Sequence, residues 1–536
     1  MMWPFTRAYP ERKCKDVADK EFDYIVIGGG TTGCVIASRL SEDPNATVLL
    51  LEKGMVKDAF MGTVPMASQG PHANDQRATR RSEPIASLAN RSIEIFTSES
   101  LGGAIRVNSM LWTRGIPTGY NDWAEKGHPD WSWYKVEPFF IKAENVQHQP
   151  KAPHRGHGGP VRLIQHQPVF EAQQYFAHAA ESLRLPVEAD GNCPTGPAMG
   201  YFNFDHVIMS DGTRGSSYSE YLPKELALAR EARLTVYTGT IATKLEIDVE
   251  ARRVTGVGIK CMKTQKGFFV RARREVVVSC GGIRSPQLLM LSGIGPSEHL
   301  EARGVLVKRH LPDVGSRLSD HHACPITVEV PITESYHRLL ANPLFGLWQF
   351  MLYAFQGTGW LHSPNTTNHI MVTSSHIDDD TLTNNPDIEI SFFANTASEY
   401  APIGQQSIYV VLVRPETTGR IELASSNPED EVHLFYNMLE SAQDRVSWRQ
   451  ISDEELVSYM EANSGSSFHI ASTCPMRPEM DGGVVNDQLQ VYGFDNLRVA
   501  DASVFPLMPA CHTMAPAVMI GERCADFIQQ RWPNSI

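Results

Sequence analysis

Two kinds of residue in this chain could do chemistry at recognisable spacing: a run of glycines able to cradle phosphates, and histidines able to move protons. Gly28, Gly30 and Gly33, with Gly29, Thr31 and Thr32 between them, spell G-x-G-x-x-G, and Glu52 follows about 20 residues on. Gly28 permits a tight turn, Gly30 lets backbone approach a pyrophosphate at a helix N-terminus, and Gly33 lets that helix pack closely on the preceding strand. Glu52 can accept hydrogen bonds from both hydroxyls of a ribose and disfavours a 2′-phosphate. Any single one of the 19 histidines is more often a surface or satisfied core residue than a catalyst, and only its place in a motif overturns that. Asp320-His321-His322 invites a metal reading. Adjacent side chains diverge on regular backbone, however, and no spaced third ligand follows, so no metal is expected.

The elements around the glycines suit nucleotide binding. Phe22 to Ile27 is an apolar, β-branched run predicting a strand; Thr32 to Leu40 predicts a helix and Thr47 to Leu51 a second strand, which together make a β-α-β unit ending at Glu52. That unit does not separate NAD from FAD. Further on, Asp122 to Asn145 is rich in aromatics (Trp123, Trp131, Trp133), and Pro and Gly between Pro150 and Pro160 suggest a crossing between lobes. Leu234 to Val278 is strand-rich, with turns predicted at Gly256 and at Lys266-Gly267. Asn342 and Pro343 suit the cap and first position of a helix running to Phe355. Its apolar stripe (Leu344, Leu347, Met351, Ala354) predicts core or pocket wall, with membrane contact a minor alternative.

Composition narrows the function classes. A chain of 536 residues exceeds the size at which one core keeps growing, so two lobes are expected. With 42% hydrophobic and 20% charged residues it reads as globular. Lys and Arg total 48 against 61 Asp and Glu, and even the basic run Lys266 to Arg274 reads as a strand with one polar side, so nucleic acid is not an expected partner. Nine scattered cysteines without Cys-x-x-Cys spacing argue against a full disulfide framework, and Cys474 reads as a small buried hydrophobe. The polar leader Met1 to Lys20 lacks a secretory apolar stretch, and no segment has 18 uncharged apolar residues. A soluble, intracellular, cytoplasmic protein is expected.

A series of blocks runs along nearly the whole chain: YIVIGGGTTGCVIASRLSEDPNATVLLLEKG, LGGAIRVNSMLWTRG (Leu101 to Gly115), YNDWAEKGHPDWSW, SDGTRGSSYSEYL (Ser210 to Leu222), GGIRSPQLLMLSGIG (Gly281 to Gly295), VGSRLSDH (Val314 to His321), HIASTCPM, and the run from VVNDQLQVYGFDNLRVADASVF onward. In this order they resemble the glucose-methanol-choline (GMC) family of FAD oxidoreductases. The resemblance implies an α/β (α+β overall) protein: a Rossmann-like FAD-binding domain and a substrate-binding lobe built on an antiparallel sheet with helices. Residues 21–115, 203–318 and 484–536 would form the discontinuous FAD domain, 116–202 and 319–483 the substrate domain, and 1–20 an N-terminal extension.

Carried over by motif, Asn108 and Met110 would lie against the flavin ring, Ala242 would meet the adenine half through its backbone, and Asp501 and Ala502 would face the pyrophosphate and ribityl chain. Leu101, Gly103, Ser109, Leu111, Thr513 and Met514, with Thr31 and Thr32, complete the implied cofactor contacts. By residue type alone, Asp501 could instead cap a turn and Asn108 satisfy buried backbone. The resemblance implies His469 as the principal base, removing a hydroxyl proton as hydride leaves for flavin N5, with His512 orienting the hydroxyl.

The chain departs from the family pattern in places. Ala104 and Ile105, followed by Arg106, replace two serines. Val107 stands where some members carry a tethering histidine, so noncovalent FAD is expected. Ser472 and Arg477 replace glycines, and the segment between Tyr436-Asn437 and His469 looks short. The expected activity is oxidation of an alcohol, apolar or aromatic from the character of Leu347 to Trp360 and Phe392-Phe393, with O2 or another acceptor reoxidising the flavin. A lyase or isomerase with FAD in a structural role, like the family's hydroxynitrile lyases, and a non-catalytic flavin scaffold are the alternatives.

Overall fold

The computed structural model describes residues 9–12, 14–56, 60–69, 77–149, 152–167, 169–374, 385–394, 403–441, 444 and 454–533. Glu21–Ile27 (β1) is a strand whose last six side chains are buried. Helix Thr31–Leu40 (α1) carries the chain to Val48–Leu51 (β2), parallel to β1. Burial of both faces is what a parallel sheet covered by helices demands, and it is why these strands read as unbroken apolar runs.

Leu234–Tyr237 (β3), Thr240–Asp248 (β4), Arg253–Cys261 (β5) and Gly267–Val278 (β6) join them in the order β3-β2-β1-β6-β5-β4, with Leu497–Val499 also on β6. β6 pairs antiparallel with β5 over Gly267 to Arg271 and parallel with β1 from Arg271 to Val278. The hairpin turn predicted near Lys266-Gly267 lies just before them, at 262–265, with Gly267 already in β6, and Gly256 lies inside β5. A Cβ there would come 2.1 Å from the Val270 carbonyl and 2.5 Å from the Phe269 ring, so this glycine marks a close approach between strands and not a turn.

The aromatic segment folds as helices Pro117–Glu125 and Trp133–Ala143, and Trp123 and Trp131 are fully buried against Phe505 and Phe527. These tryptophans belong to the same core as β1 and β2. Of the predicted lobe crossing, Pro150 and Lys151 lie outside the described residues.

A second sheet contains His322–Val330 (β7), Asn368–Val372 (β8), Ile388–Phe393 (β9) and Gly404–Leu412 (β10), ordered β7-β10-β9-β8 and continued by Gly200–Asn203 beyond β8. These neighbours pair antiparallel. β9 therefore turns alternate side chains, Glu389 and Ser391 among them, toward the space between the two sheets.

Helix Pro343–Gln356 (α2) begins as predicted, with Asn342 Oδ1 accepting from the Phe345 N–H at 3.1 Å, and stops at Gly357, whose φ is +64°. Its predicted stripe, however, faces outward: Leu344 is 81% exposed and Leu347 60%, and Met351 and Ala354 are exposed too. The inward face instead carries Gln349, whose Oε1 accepts from the Trp360 N–H at 2.9 Å, and Tyr353, whose hydroxyl donates to the Gly212 carbonyl at 3.4 Å. In a helix apolar on nearly every side, periodicity does not choose the buried face; the few polar atoms with partners do. No helix among the described residues is long and apolar enough to cross a membrane.

Candidate active site

A cavity of about 920 Å³ runs between the two sheets, from the β1–α1 turn to the histidines. At its nucleotide end Gly28 has φ +98°, and a Cβ there would meet the Ser279 carbonyl oxygen at 2.3 Å; at Gly33 it would meet the Gly28 carbonyl oxygen at 1.9 Å. Gly30 differs: nothing lies closer than 3.9 Å to its missing Cβ, which leaves room on the cavity side. Helix α1 starts there without a side-chain cap or an acidic residue in its first turn, so its first N–H groups and dipole remain available to an anion. The cradle fits a dinucleotide pyrophosphate.

Glu52 lines the same end. Its Oε2 accepts from the Gly29 N–H and its Oε1 from the Gly54 N–H, both at 2.7 Å, and burial pushes the carboxyl up to about 7. Each oxygen keeps a second acceptor site, so a ribose can still be bound beside the backbone donors. Asp501 is engaged in the way its residue type suggested. Oδ1 caps the Ser503 N–H at 2.8 Å, while Oδ2 accepts from the Gly281 N–H at 2.8 Å and from Ser285 Oγ at 2.6 Å.

Thr31, Thr32, Gly103, Asn108, Ser109, Leu111, Ala242, Ala502, Thr513 and Met514 also line the cavity. Gly33, Leu101 and Met110 do not. Gly33 packs α1 on the turn, Leu101 is fully buried behind Gly29, and Met110 is fully buried. Its φ of +61° turns its N–H back to Asn108 Oδ1, at 2.9 Å, and its side chain into the interior.

At the other end His469 and His512 face each other, ring centroids 4.9 Å apart and planes at 86°. His469 is held from two sides: its backbone N–H donates to Asp320 Oδ1 at 2.9 Å, and its Nδ1 lies 2.9 Å from Nδ1 of His321. Asp320 is fixed in turn by the hydroxyls of Tyr436 and Ser466, with burial raising its carboxyl to about 7. The backbone N–H of His512 donates to Thr113 Oγ1 at 3.0 Å, and its Nε2 lies 3.0 Å from Glu389 Oε1, which also accepts from the Ser391 hydroxyl.

Burial first, then the His512 and His321 imidazoles, hold His469 well below the usual histidine range. His321 is brought down to about 3 by burial and then by His512. Burial opposes the charge on Glu389 as well, yet His512 and His369 beside it hold its carboxyl well below the usual range. His321 and His469 are thus held toward the neutral imidazole, next to a Glu389 held toward the carboxylate.

Sequence reasoning gave His321 no place in proton transfer and passed over Glu389. The signal for Glu389 was an acid inside the apolar strand Ile388–Phe393, a place that demands a partner. Of the aromatics expected to line the substrate space, Phe350 and Phe393 do so, joined by Tyr336 and Tyr409, whereas Trp348, Tyr353, Phe355, Trp360 and Phe392 do not. In the segment before His469, residues 442–443 and 445–453 lie outside the described residues.

The model of the GMC oxidoreductase family matches the chain in two parts, an N-terminal part over residues 22–323 and a C-terminal part over residues 446–521. Over 96% of its length the chain is 30% identical to the oxygen-dependent choline dehydrogenase of Photobacterium profundum, covering 94% of that protein. Its fold is shared with the formate oxidase of Aspergillus oryzae (TM-score 0.86, 23% identity, 96% of this chain and 99% of that one). It is shared as well with an FAD-dependent oxidoreductase of Chaetomium thermophilum (TM-score 0.84, 23% identity, 95% and 99%).

Proposed function

The chain belongs to the GMC oxidoreductase family, and from that premise we propose that it is an FAD-dependent enzyme oxidising an alcohol to an aldehyde or ketone. The observation that carries the reading is that His469 and His512 meet in the same cavity whose far end is the Gly28–Thr31 cradle. FAD, when bound, supplies the acceptor for the hydride leaving the carbinol carbon. Gly30 and the N-terminus of α1 would hold its pyrophosphate, Glu52 its adenosine ribose, and the Ala104–Ser109 segment its ring. With Val107 in place of a tethering histidine, the cofactor is held noncovalently.

His469 accepts the hydroxyl proton. To do so through Nε2 it must carry its own proton on Nδ1, and the 2.9 Å contact then has His469 donating to His321. A neutral His321 is the acceptor this needs, and burial keeps it neutral. His512, donating from Nε2 to Glu389, is fixed beside the substrate oxygen, and the carboxylate offsets the positive charge that reaches the imidazoles with the proton. Aromatic walls at Phe350, Phe393, Tyr336 and Tyr409 favour an apolar or aromatic alcohol. Residues 21–115, 203–318 and 484–536 are proposed as the FAD domain, whose core also takes in Trp123 and Trp131 from 116–202 and Ile421, Leu434, Ile470 and Met476 from 319–483.

The test is anaerobic mixing of the yellow holoprotein with primary alcohols, benzylic ones included. Bleaching of the visible flavin band with stoichiometric carbonyl product is expected, and acid precipitation should release the flavin into solution. Turnover with the flavin oxidised throughout and no acceptor consumed would replace the oxidoreductase reading by the lyase one.

A further inference from the structure

Arg214 is a buried cation with an unusual set of partners. It is 5% exposed, and among the described residues it makes no ion pair with a carboxylate. Its guanidinium instead binds the segment that lines the flavin end of the cavity. Nε and Nη2 donate to the Ile105 carbonyl at 3.0 and 2.5 Å, and Nη2 also reaches the Asn108 carbonyl and, at 2.6 Å, Asn108 Oδ1. The charged groups that bear on it are Arg106 and Arg77, both of its own sign. Burial, followed by these two, brings the guanidinium down to about 9, so it stays charged at neutral pH.

The contacts also decide which way Asn108 faces. Its Oδ1 accepts from Arg214 and from the Met110 N–H, so a flipped amide would set NH2 against two donors. The NH2 group therefore points the other way, where it lies 3.6 Å from Met514 Sδ, and both residues line the cavity. One side chain thus orients a donor toward the ring position and sets an uncompensated positive charge behind it.

We propose that Arg214 is a positioning residue for the flavin: it turns the Asn108 amide donors to the ring and, through its unpaired charge, stabilises the ring once it has become an anion. The inference rests on the FAD reading above. The charge balance is simple. The alcohol gives a proton to His469 and a hydride to the oxidised ring; a hydride brings two electrons with one proton, so the ring gains a unit of negative charge. A buried cation without a carboxylate partner favours that product over the neutral oxidised ring. The same field favours the anionic adduct that sulfite forms at the ring, which gives a readout independent of turnover.

Arg214→Gln and Arg214→Lys holoproteins, with FAD content verified by absorbance, are to be compared with wild type by sulfite titration and by dye-equilibrated midpoint potential. The Gln variant should bind sulfite about tenfold or more weakly, and a tenfold change in the two-electron couple lowers the potential by about 30 mV. The Lys variant, which keeps the charge, should stay within about threefold of wild type. An FAD-replete Gln variant with wild-type sulfite affinity and potential overturns the proposal. Should the Gln variant fail to take up FAD, the Lys variant decides: retained affinity supports the charge role, and a loss of about tenfold or more overturns it. A wild-type chain that takes up no FAD refutes the parent reading instead.

Discussion

The two ends of the cavity are built on opposite principles. The nucleotide end is made of backbone: a turn at Gly28, an open face at Gly30, uncapped N–H groups of α1, and a carboxylate that itself leans on the N–H groups of Gly29 and Gly54. All of it comes from residues 28 to 54 of one β-α-β unit. The histidine end is made of side chains, with His321, Glu389, His469 and His512 delivered from four distant segments and locked by Asp320 and Thr113. A backbone cradle tolerates changes of side chain but not an added Cβ; a side-chain cluster tolerates small backbone shifts but not the loss of one imidazole.

That contrast is open to attack by mutation. The largest effect is expected at the histidine end. His469→Ala should slow anaerobic flavin bleaching about 10³-fold, equivalent to about 4 kcal/mol of barrier, while leaving FAD content unchanged. Loss of flavin in this variant would show that the two ends are not separable. Next, Gly33→Ala places a Cβ 1.9 Å from the Gly28 carbonyl oxygen. It should cost roughly 3 kcal/mol in denaturant unfolding and weaken FAD retention on gel filtration.

Glu389→Gln should lower kcat/KM by about 30-fold and alter the pH profile in a defined direction. Glu389 raises the proton affinity of His469, so its removal makes that base weaker. The limb on which activity rises with pH should therefore move to lower pH, and movement to higher pH would contradict the assigned charge of Glu389. The smallest effect is expected on the outer face of α2. Leu347→Ser, at a 60% exposed position, should change unfolding free energy by no more than about 0.5 kcal/mol and leave turnover intact. A larger loss would mean that the stripe is covered in solution.

The same asymmetry decided what could be read from the residues. Phe22 to Ile27, the glycine turn, the α1 helix and Thr47 to Leu51 are local: strand, turn and helix each have a composition of their own, and Glu52 follows at a fixed distance along the chain. The structure reproduces them within a residue or two at each boundary. Gly256 was misjudged because a glycine needed for space between strands looks the same in sequence as one needed for a turn. The outward face of α2 was misjudged because every face was apolar. The burial of Met110 was not legible because a positive φ accompanies it, and no neighbouring residue announces that angle.

By itself, the amino-acid sequence determined a β-α-β unit with its glycine turn and singled out two histidines, because periodicity, glycine spacing and motif order all act over short stretches of chain. Only the tertiary structure decided that His321 is the partner of His469, that Glu389 holds His512, and that Arg214 holds the Asn108 amide. Those pairs lie 148, 123 and 106 residues apart along the chain. Hydrogen bonds and charges act over a few ångströms of space, and sequence distance carries no record of which groups folding brings that close.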